Sequence, residues 1–451
     1  MMATDTGAPT ITGLARRVRD GTTTSEAATA SCLEQIARLN PTLNAFITVL
    51  ADRALSEAAR ADRERRAGID RGPLHGVPLS LKDLVDVAGV PTTAASNVRR
   101  GAVASRNAPI VDRLERAGAV LVGKCNLHEF AYGTTSDDSA FGPVRHPQDP
   151  GRSPGGSSGG SAVAVATGMC AGSIGTDTGG SIRIPSALCG LVGLKPSYDE
   201  VPRDGIVPLS WSLDHVGPLA RSVDDAWILF NALRDAAPPG LPRHVAPIRA
   251  RLGVPRTYFL DVLDDEVRTK FEETVARLRA AGADLEDVWI PHVAEAASVY
   301  MHIQAAEAAA YHAPALDRQP SAYSPDVRMR LEAGRYLLAE DYVRAQRGRQ
   351  VLRREVDAAL STCAALLVPT VPIRAPAIGA TDIDVGGFTA PVRTLMLRLT
   401  QLFNLTGHPA VSIPAGAGAS GLPCAVQLVG ARGGTERLLW LARAVELHPA
   451  P

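Results

Sequence analysis

The 46 residues from Gly151 to Pro196 hold 12 of the chain's 41 glycines. The stretch opens with SPGGSSGGSA (Ser153–Ala162) and closes with GTDTGGSIRIPSALCGLVGLKP (Gly175–Pro196). A Gly/Ser tract taken alone reads as a flexible spacer. Here the glycines alternate with Val, Ala, Ile and Leu, and the tract runs straight into apolar segments. That pattern predicts buried backbone that needs unusual dihedrals and close approach. Two turns present serine between glycines, Ser157/Ser158 and Ser181. Consecutive backbone N–H groups exposed at such turns form a nest for an oxyanion. A nucleophilic serine also needs a base, because its hydroxyl is not usefully ionised at neutral pH. No histidine lies inside the stretch.

The base is suggested by composition. Of 47 basic residues only four are lysine: Lys82, Lys124, Lys195 and Lys270. A chain that defaults to Arg retains in Lys a group that can lose its proton when buried. Lys82 sits in VPLSLKDLVDV, a short apolar run bounded by Gly and Pro, and a neutral, desolvated Lys there is a legitimate base.

The surrounding chain alternates helix and strand patterns, which implies an α/β fold. Residues 10–67 read as helices, with Thr24 or Ser25 as N-cap, a break and restart at Pro41, and a stop at Gly68. VPLSLKDLVDV, AVLVG, RLGVP, DLEDVWIP and AALLVPTVP read as strands. The segments LTQLFNLTGHPAVSIPAG and GLPCAVQLVGA read as late strands with loops. Helices are expected in APIVDRLERAG, SVDDAWILFNALRDA, DDEVRTKFEETVARLRAAGA, most of 292–357, and TERLLWLARAVEL. PPGLP near residue 240 marks a loop.

Several function classes are disfavoured. Lys+Arg and Asp+Glu are both 47, and no dense basic run offers a nucleic-acid footprint. No apolar run approaches the roughly 18 residues that span a bilayer, so a cytoplasmic protein is expected. The six cysteines form no CxxC pair, and the ten histidines show no HxxxH or HExxH spacing, so no metal is expected. GAGASG (Gly416–Gly421) fits a dinucleotide fingerprint but leads into a strand-like segment instead of opening a helix. GAVLVGKC (Gly118–Cys125) nearly fits a phosphate loop, yet its interior is an apolar strand. GGSSG (Gly155–Gly159) fits a nucleophile elbow, whose histidine would be His408 or His448, neither in the expected strand-end context.

The words GPLHGVPLSLKDLVDVAGVPTT, GKCNLHEFAYGTT, FGPVRHP, SPGGSSGGSA and GTDTGGSIRIPSALCGLVGLKP together resemble the amidase signature family. DGIVPLSWSLDHVGPLARSVDDA, FNLTGHPAVSIP and GLPCAVQLVG extend the resemblance over nearly the whole chain. It implies one domain over 1–451, a mixed, largely central β-sheet sandwiched by α-helices. A helical N-terminal segment (10–67) and a variable, substrate-shaping helical region (about 292–357) belong to it. By resemblance, Ser181 is the nucleophile, Ser157, 24 residues earlier, is the proton relay held after a cis peptide, and Lys82 is the base. The N–H groups of Thr178, Gly179, Gly180 and Ser181 would bind the oxyanion. The resemblance implies no cofactor and no metal, and a small-molecule amide substrate. It implies no nucleic-acid or membrane partner and is compatible with a homodimer. Asp177 and Arg183 are read as an ion pair fixing the turn, Ser158 as a loop hydrogen bond, and Lys124 and Lys195 as structural. His128 and Tyr132 are read equally as pocket or core.

Three functions are weighed. The leading one is a free-standing amidase acting on a carboxamide or ureido amide. The second is the glutamine-hydrolysing subunit of a tRNA-dependent amidotransferase. Leu397 stands where that subunit places an acidic residue, whereas Arg349 resembles its carboxylate-binding Arg. The third is a non-catalytic binding or scaffold subunit. Residues 292–345 and 385–400 are expected to shape the acyl pocket. The stretch MLRLTQLF supplies Leu397, Leu399 and Leu402, which beside Arg393 and Arg398 suit either an apolar or an acidic acyl group.

Overall fold

The computed structural model describes residues 10–234, 236 and 250–447. Its strands are β1 (Phe46–Val49), β2 (Pro78–Lys82), β3 (Val120–Cys125), β4 (Gly172–Asp177), β5 (Val192–Lys195), β6 (His215–Ala220), β7 (Arg251–Val254), β8 (Asp284–Asp287), β9 (Ala365–Pro369), β10 (Asp382–Val385), β11 (Phe388–Pro391), β12 (Ala410–Ala417) and β13 (Pro423–Val429). One 11-stranded sheet has the order β1-β3-β2-β4-β6-β5-β12-β13-β9-β7-β8, and β10 and β11 form a separate hairpin. The sheet is mixed. β2 runs parallel to β3 and β4, and β7 parallel to β8 and β9, while the other pairs in it are antiparallel.

Both faces of the sheet are covered, and this explains why its strands read as continuous apolar runs instead of alternating ones. In β3, Leu121 packs into one core cluster and Val120 and Val122 into another on the opposite face. In β9, Leu367 and the pair Leu366/Val368 divide in the same way. Helices Ile11–Arg19, Pro109–Arg116, Val223–Leu233, Asp265–Ala280 and Thr435–Glu446 cover the first face. Helices Gly159–Ala166, Arg183–Leu188, Ala296–Arg318 and Ala339–Ala359 cover the other. The α/β sandwich expected from the sequence is therefore present.

Three local expectations are corrected. The N-terminal segment is not wholly helical. Pro41 lies inside helix Ser25–Leu43, and the chain then turns through Asn44 in the left-handed region (φ 52°) into strand β1. The Asn40 side chain bonds both N and O of Phe46, which fixes that reversal. The apolar run around Lys82 is a strand only as far as Lys82. There the chain turns, with Leu84 N donating to Lys82 O at 2.7 Å. Gln401–Thr406 is a helix, ended by Gly407 at φ 76°, where a strand was expected. A short run buried on all sides carries no period that separates the two. Thr24 is the N-cap, while the Ser25 hydroxyl donates to Gly76 O. The loop read in PPGLP and His448 lie outside the described residues. No described helix is long and apolar enough to cross a membrane.

Candidate active site

Strands β2 and β4 are parallel neighbours, with Leu81 opposite Ile174. Their carboxyl ends therefore lie side by side, the usual place for a site in such a sheet. Lys82 is the last residue of β2 and is fully buried. Its Nζ lies 2.7 Å from Ser157 Oγ and 2.8 Å from Thr176 Oγ1, the latter near the end of β4. Burial pushes its pKa down to about 7, against the pull of the Asp177 and Asp214 carboxylates, which favour the ammonium. Lys82 is thus held where loss of its proton is accessible near neutral pH.

Ser157 is presented by the Gly/Ser tract. The Gly156–Ser157 peptide is cis, and Ser157 O accepts from His128 N and Ser136 Oγ, both at 3.2 Å. Ser158 joins the two serine turns. Its N donates to Ser181 O and its hydroxyl to Thr176 O, each at 3.2 Å. The glycines are there for close approach. A Cβ at Gly160 would sit 2.3 Å from Asn126 O and 2.4 Å from Ala45 O.

Ser181 lies between β4 and helix Arg183–Leu188 and is 4% exposed. Its turn is clamped from below. Arg183 and Asp177, both fully buried, form a two-pronged pair, Nε–Oδ2 and Nη2–Oδ1 each at 3.0 Å. The remaining guanidinium donors go to Thr400 O, Gln427 Oε1 and Asn404 Oδ1 at 3.1, 3.1 and 2.7 Å. Asn404 Nδ2 returns to Asp177 O and Oδ1, and Ile182 N donates to Asp177 Oδ2. Burial alone would raise the Asp177 carboxyl, but Arg183 and these donors hold it well below the usual carboxylate range. Gly180 has φ +143°, and a Cβ there would meet Thr400 Oγ1 at 2.4 Å. Among the described residues no protein acceptor takes the N–H groups of Gly179, Gly180 or Ser181.

Residues 27–439 match the model of the family described as Amidase. The chain belongs to the amidase family. It is 39% identical over 407 residues to an amidase of Pseudomonas putida, covering 87% of this chain and 86% of that protein. It is also 37% identical over 457 residues to one of the subunits of the glutamyl-tRNA(Gln) amidotransferase of Chloroflexus aurantiacus, covering 93% and 92%. The crystal structure of an amidase superposes with a TM-score of 0.93 at 38% identity over 98% of this chain and 100% of the other. The chain is an amide-hydrolysing enzyme of that fold.

In this amidase Ser181 opens onto a small, closely packed cavity of about 10 Å³ whose walls include Tyr132, Tyr300, Leu209, Leu397 and Arg393. A wider cleft of about 760 Å³ shares Ala131 and Leu209 with it but not Ser181; it reaches Thr178 and Asp214. Asp214 is buried and accepts from Thr178 Oγ1 (2.6 Å), Leu209 N and Ser210 N; burial raises its pKa to about 6 despite these donors. Of the pocket candidates Leu397, Leu399, Leu402, Arg393 and Arg398, Leu397 and Arg393 line the cavity. Arg398 faces away, its guanidinium 3.9 Å from the Tyr258 ring centre, and Leu399 and Leu402 are core. Arg349 is absent from the cavity wall. Its donors are committed to Leu405 O and Ser212, so its proposed carboxylate-binding role is not supported.

Tyr132 lines the cavity, whereas His128 packs beneath Gly133, where a Cβ would meet its ring at 2.1 Å. Burial lowers the His128 pKa to about 3. His128, Asp138 and Asp326 are brought together closely enough to ligate a metal, a grouping that linear spacing did not reveal. However, Ser324 already donates to Asp138 and Arg330 pairs with Asp326. Lys124 pairs with Asp83 at 2.8 Å, and Lys195 donates to His408 O and Pro196 O. His408 bonds Thr406 and Asp357 and is no partner of either serine turn. Thr176, Asp214, Asn404 and Gln427 escaped sequence reasoning. The one visible signal was polarity in an apolar context, as in Gln427 within CAVQLV.

Proposed function

We propose that the chain hydrolyses a small carboxamide through an acyl-enzyme on Ser181, with Ser157 as relay and neutral Lys82 as base. The observation that carries this reading is the buried Lys82 Nζ, 2.7 Å from Ser157 Oγ, with a pKa lowered to about 7. Lys82 takes the Ser157 proton as Ser157 takes that of Ser181. The Ser181 oxygen adds to the amide carbon. The oxyanion is met by the N–H groups of Thr178, Gly179, Gly180 and Ser181, preorganised by the clamp beneath them. Ser157 then protonates the departing nitrogen. Water enters by the same relay in reverse and frees the acid.

The glutamine-hydrolysing alternative draws support from the 37% identical amidotransferase relative. Against it, Leu397 takes the position of the expected acid, and the described cavity wall offers no carboxylate to an ammonium group. The test is to purify the chain alone, treat it with chelator, and measure ammonia release from aliphatic and aryl amides beside glutamine. Turnover of simple amides, abolished by Ser181→Ala in a folded protein, is expected. Glutamine as best substrate, with activity only beside partner proteins and tRNA, would promote the alternative.

A further inference from the structure

Among the described residues, Arg393 has no counter-ion at the wall of the Ser181 cavity. Its contacts are to neutral groups. Nη2 reaches Gln304 Oε1 at a long 3.4 Å, and Cζ stands 5.8 Å from the Tyr132 ring centre. Its Nε is buried with no hydrogen-bond partner. Gln304 is 1% exposed, and its Nε2 is likewise buried without an acceptor. Arg393 thus lines the same cavity as Ser181 with a buried donor unpaired, and Gln304 stands against its guanidinium. The neighbouring Arg330 differs, since it is paired with Asp326 and donates to Tyr132 O at 2.6 Å. Buried donors left unpaired are costly, and a guanidinium is best satisfied by a carboxylate held through two parallel bonds.

The geometry points to a carboxylate subsite at Arg393 and Gln304, so that the acyl group of the substrate is a short chain ending in a carboxylate. This rests on the proposed Ser181 chemistry and names its substrate class, the half-amide of a short dicarboxylic acid. Arg393 and Ser181 share the wall of one small, closely packed cavity, which keeps the acyl chain between them short. Leu397 on the same wall offers nothing to an α-ammonium group, which separates such a substrate from glutamine.

The test compares succinamate with 4-oxopentanamide, which has the same shape but no charge. In wild type, kcat/KM for succinamate should exceed that for 4-oxopentanamide by roughly 100-fold, the scale of a buried charge-assisted pair. Arg393→Met should erase that ratio, and Arg393→Lys should retain part of it. Calorimetric binding of the same two amides to the Ser181→Ala protein should show the same preference, lost when Arg393→Met is added. Equal treatment of the two amides by wild type, or a preference that survives Arg393→Met, overturns the inference while leaving the hydrolase reading intact. A Ser181→Ala protein that still releases ammonia sinks the nucleophile assignment instead, and the effect of Arg393→Met on the wild-type ratio still decides the subsite.

Discussion

Titrating Lys82 tests the mechanism at its least ordinary point. Its pKa of about 7, set first by burial, means that the neutral base is about nine-tenths populated at pH 8, about one-tenth at pH 6 and about one-hundredth at pH 5. Activity should therefore hold level above pH 8 and fall about tenfold per unit below pH 6.5. The limb can be assigned. Asp214 favours the Lys82 ammonium, so Asp214→Asn removes a charge that raises the lysine pKa, and the acid limb must move to lower pH. Asp214 itself is held near pH 6, in the same window. Were its own protonation the cause of the limb, Asp214→Asn would remove the limb altogether. The Thr178 hydroxyl loses part of its anchor in that variant, so the midpoint of the limb is the readout and not its height. The assay is kcat/KM for ammonia release from pH 5 to 9, with folding followed by circular dichroism. A rate independent of pH between 5 and 8, or a limb that moves upward in Asp214→Asn, refutes the reasoning.

Lys82→Arg should be as inactive as Lys82→Ala, because Arg keeps the charge and cannot give up its proton; steady-state kinetics of both variants checks this. Arg183→Met leaves Asp177 buried without its cation and should lower stability by about 3–5 kcal/mol in urea denaturation, with loss of activity. Glu446 accepts from Val223 N, and burial raises its pKa to about 7. A carboxyl whose folded pKa is raised stabilises fully below its unfolded value near 4.5 and loses that contribution as pH rises to about 7. Glu446→Gln should therefore flatten the decline in urea midpoint between pH 5 and 8, an effect of about 2 kcal/mol once partial exposure is allowed for.

The linear chain determined whatever depends on neighbours along it. Glycine density around Ser157 and Ser181 announced backbone in tight contact. The scarcity of lysine singled out Lys82, and the short apolar runs bounded by Gly and Pro located most strands. Those signals are local, because backbone dihedrals and side-chain periodicity are set within a few residues. The family words then attached chemistry to Lys82, Ser157 and Ser181. The identity of short buried segments was not legible, as at Gln401–Thr406, where a run apolar on every side has no face to betray its period. Only the tertiary structure decided what surrounds the serines. Sheet order set β2 against β4, which put Thr176 within 2.8 Å of Lys82 across 94 positions. The same order carried Gln427 to Arg183 across 244 positions. Arg393 and Arg349 look alike in sequence, two arginines in Arg-rich helices. One lines the cavity with an unpaired donor, while the other spends its donors on Leu405 and Ser212. Whether a charge is available or consumed depends on which atoms the fold places around it, and no local pattern encodes that.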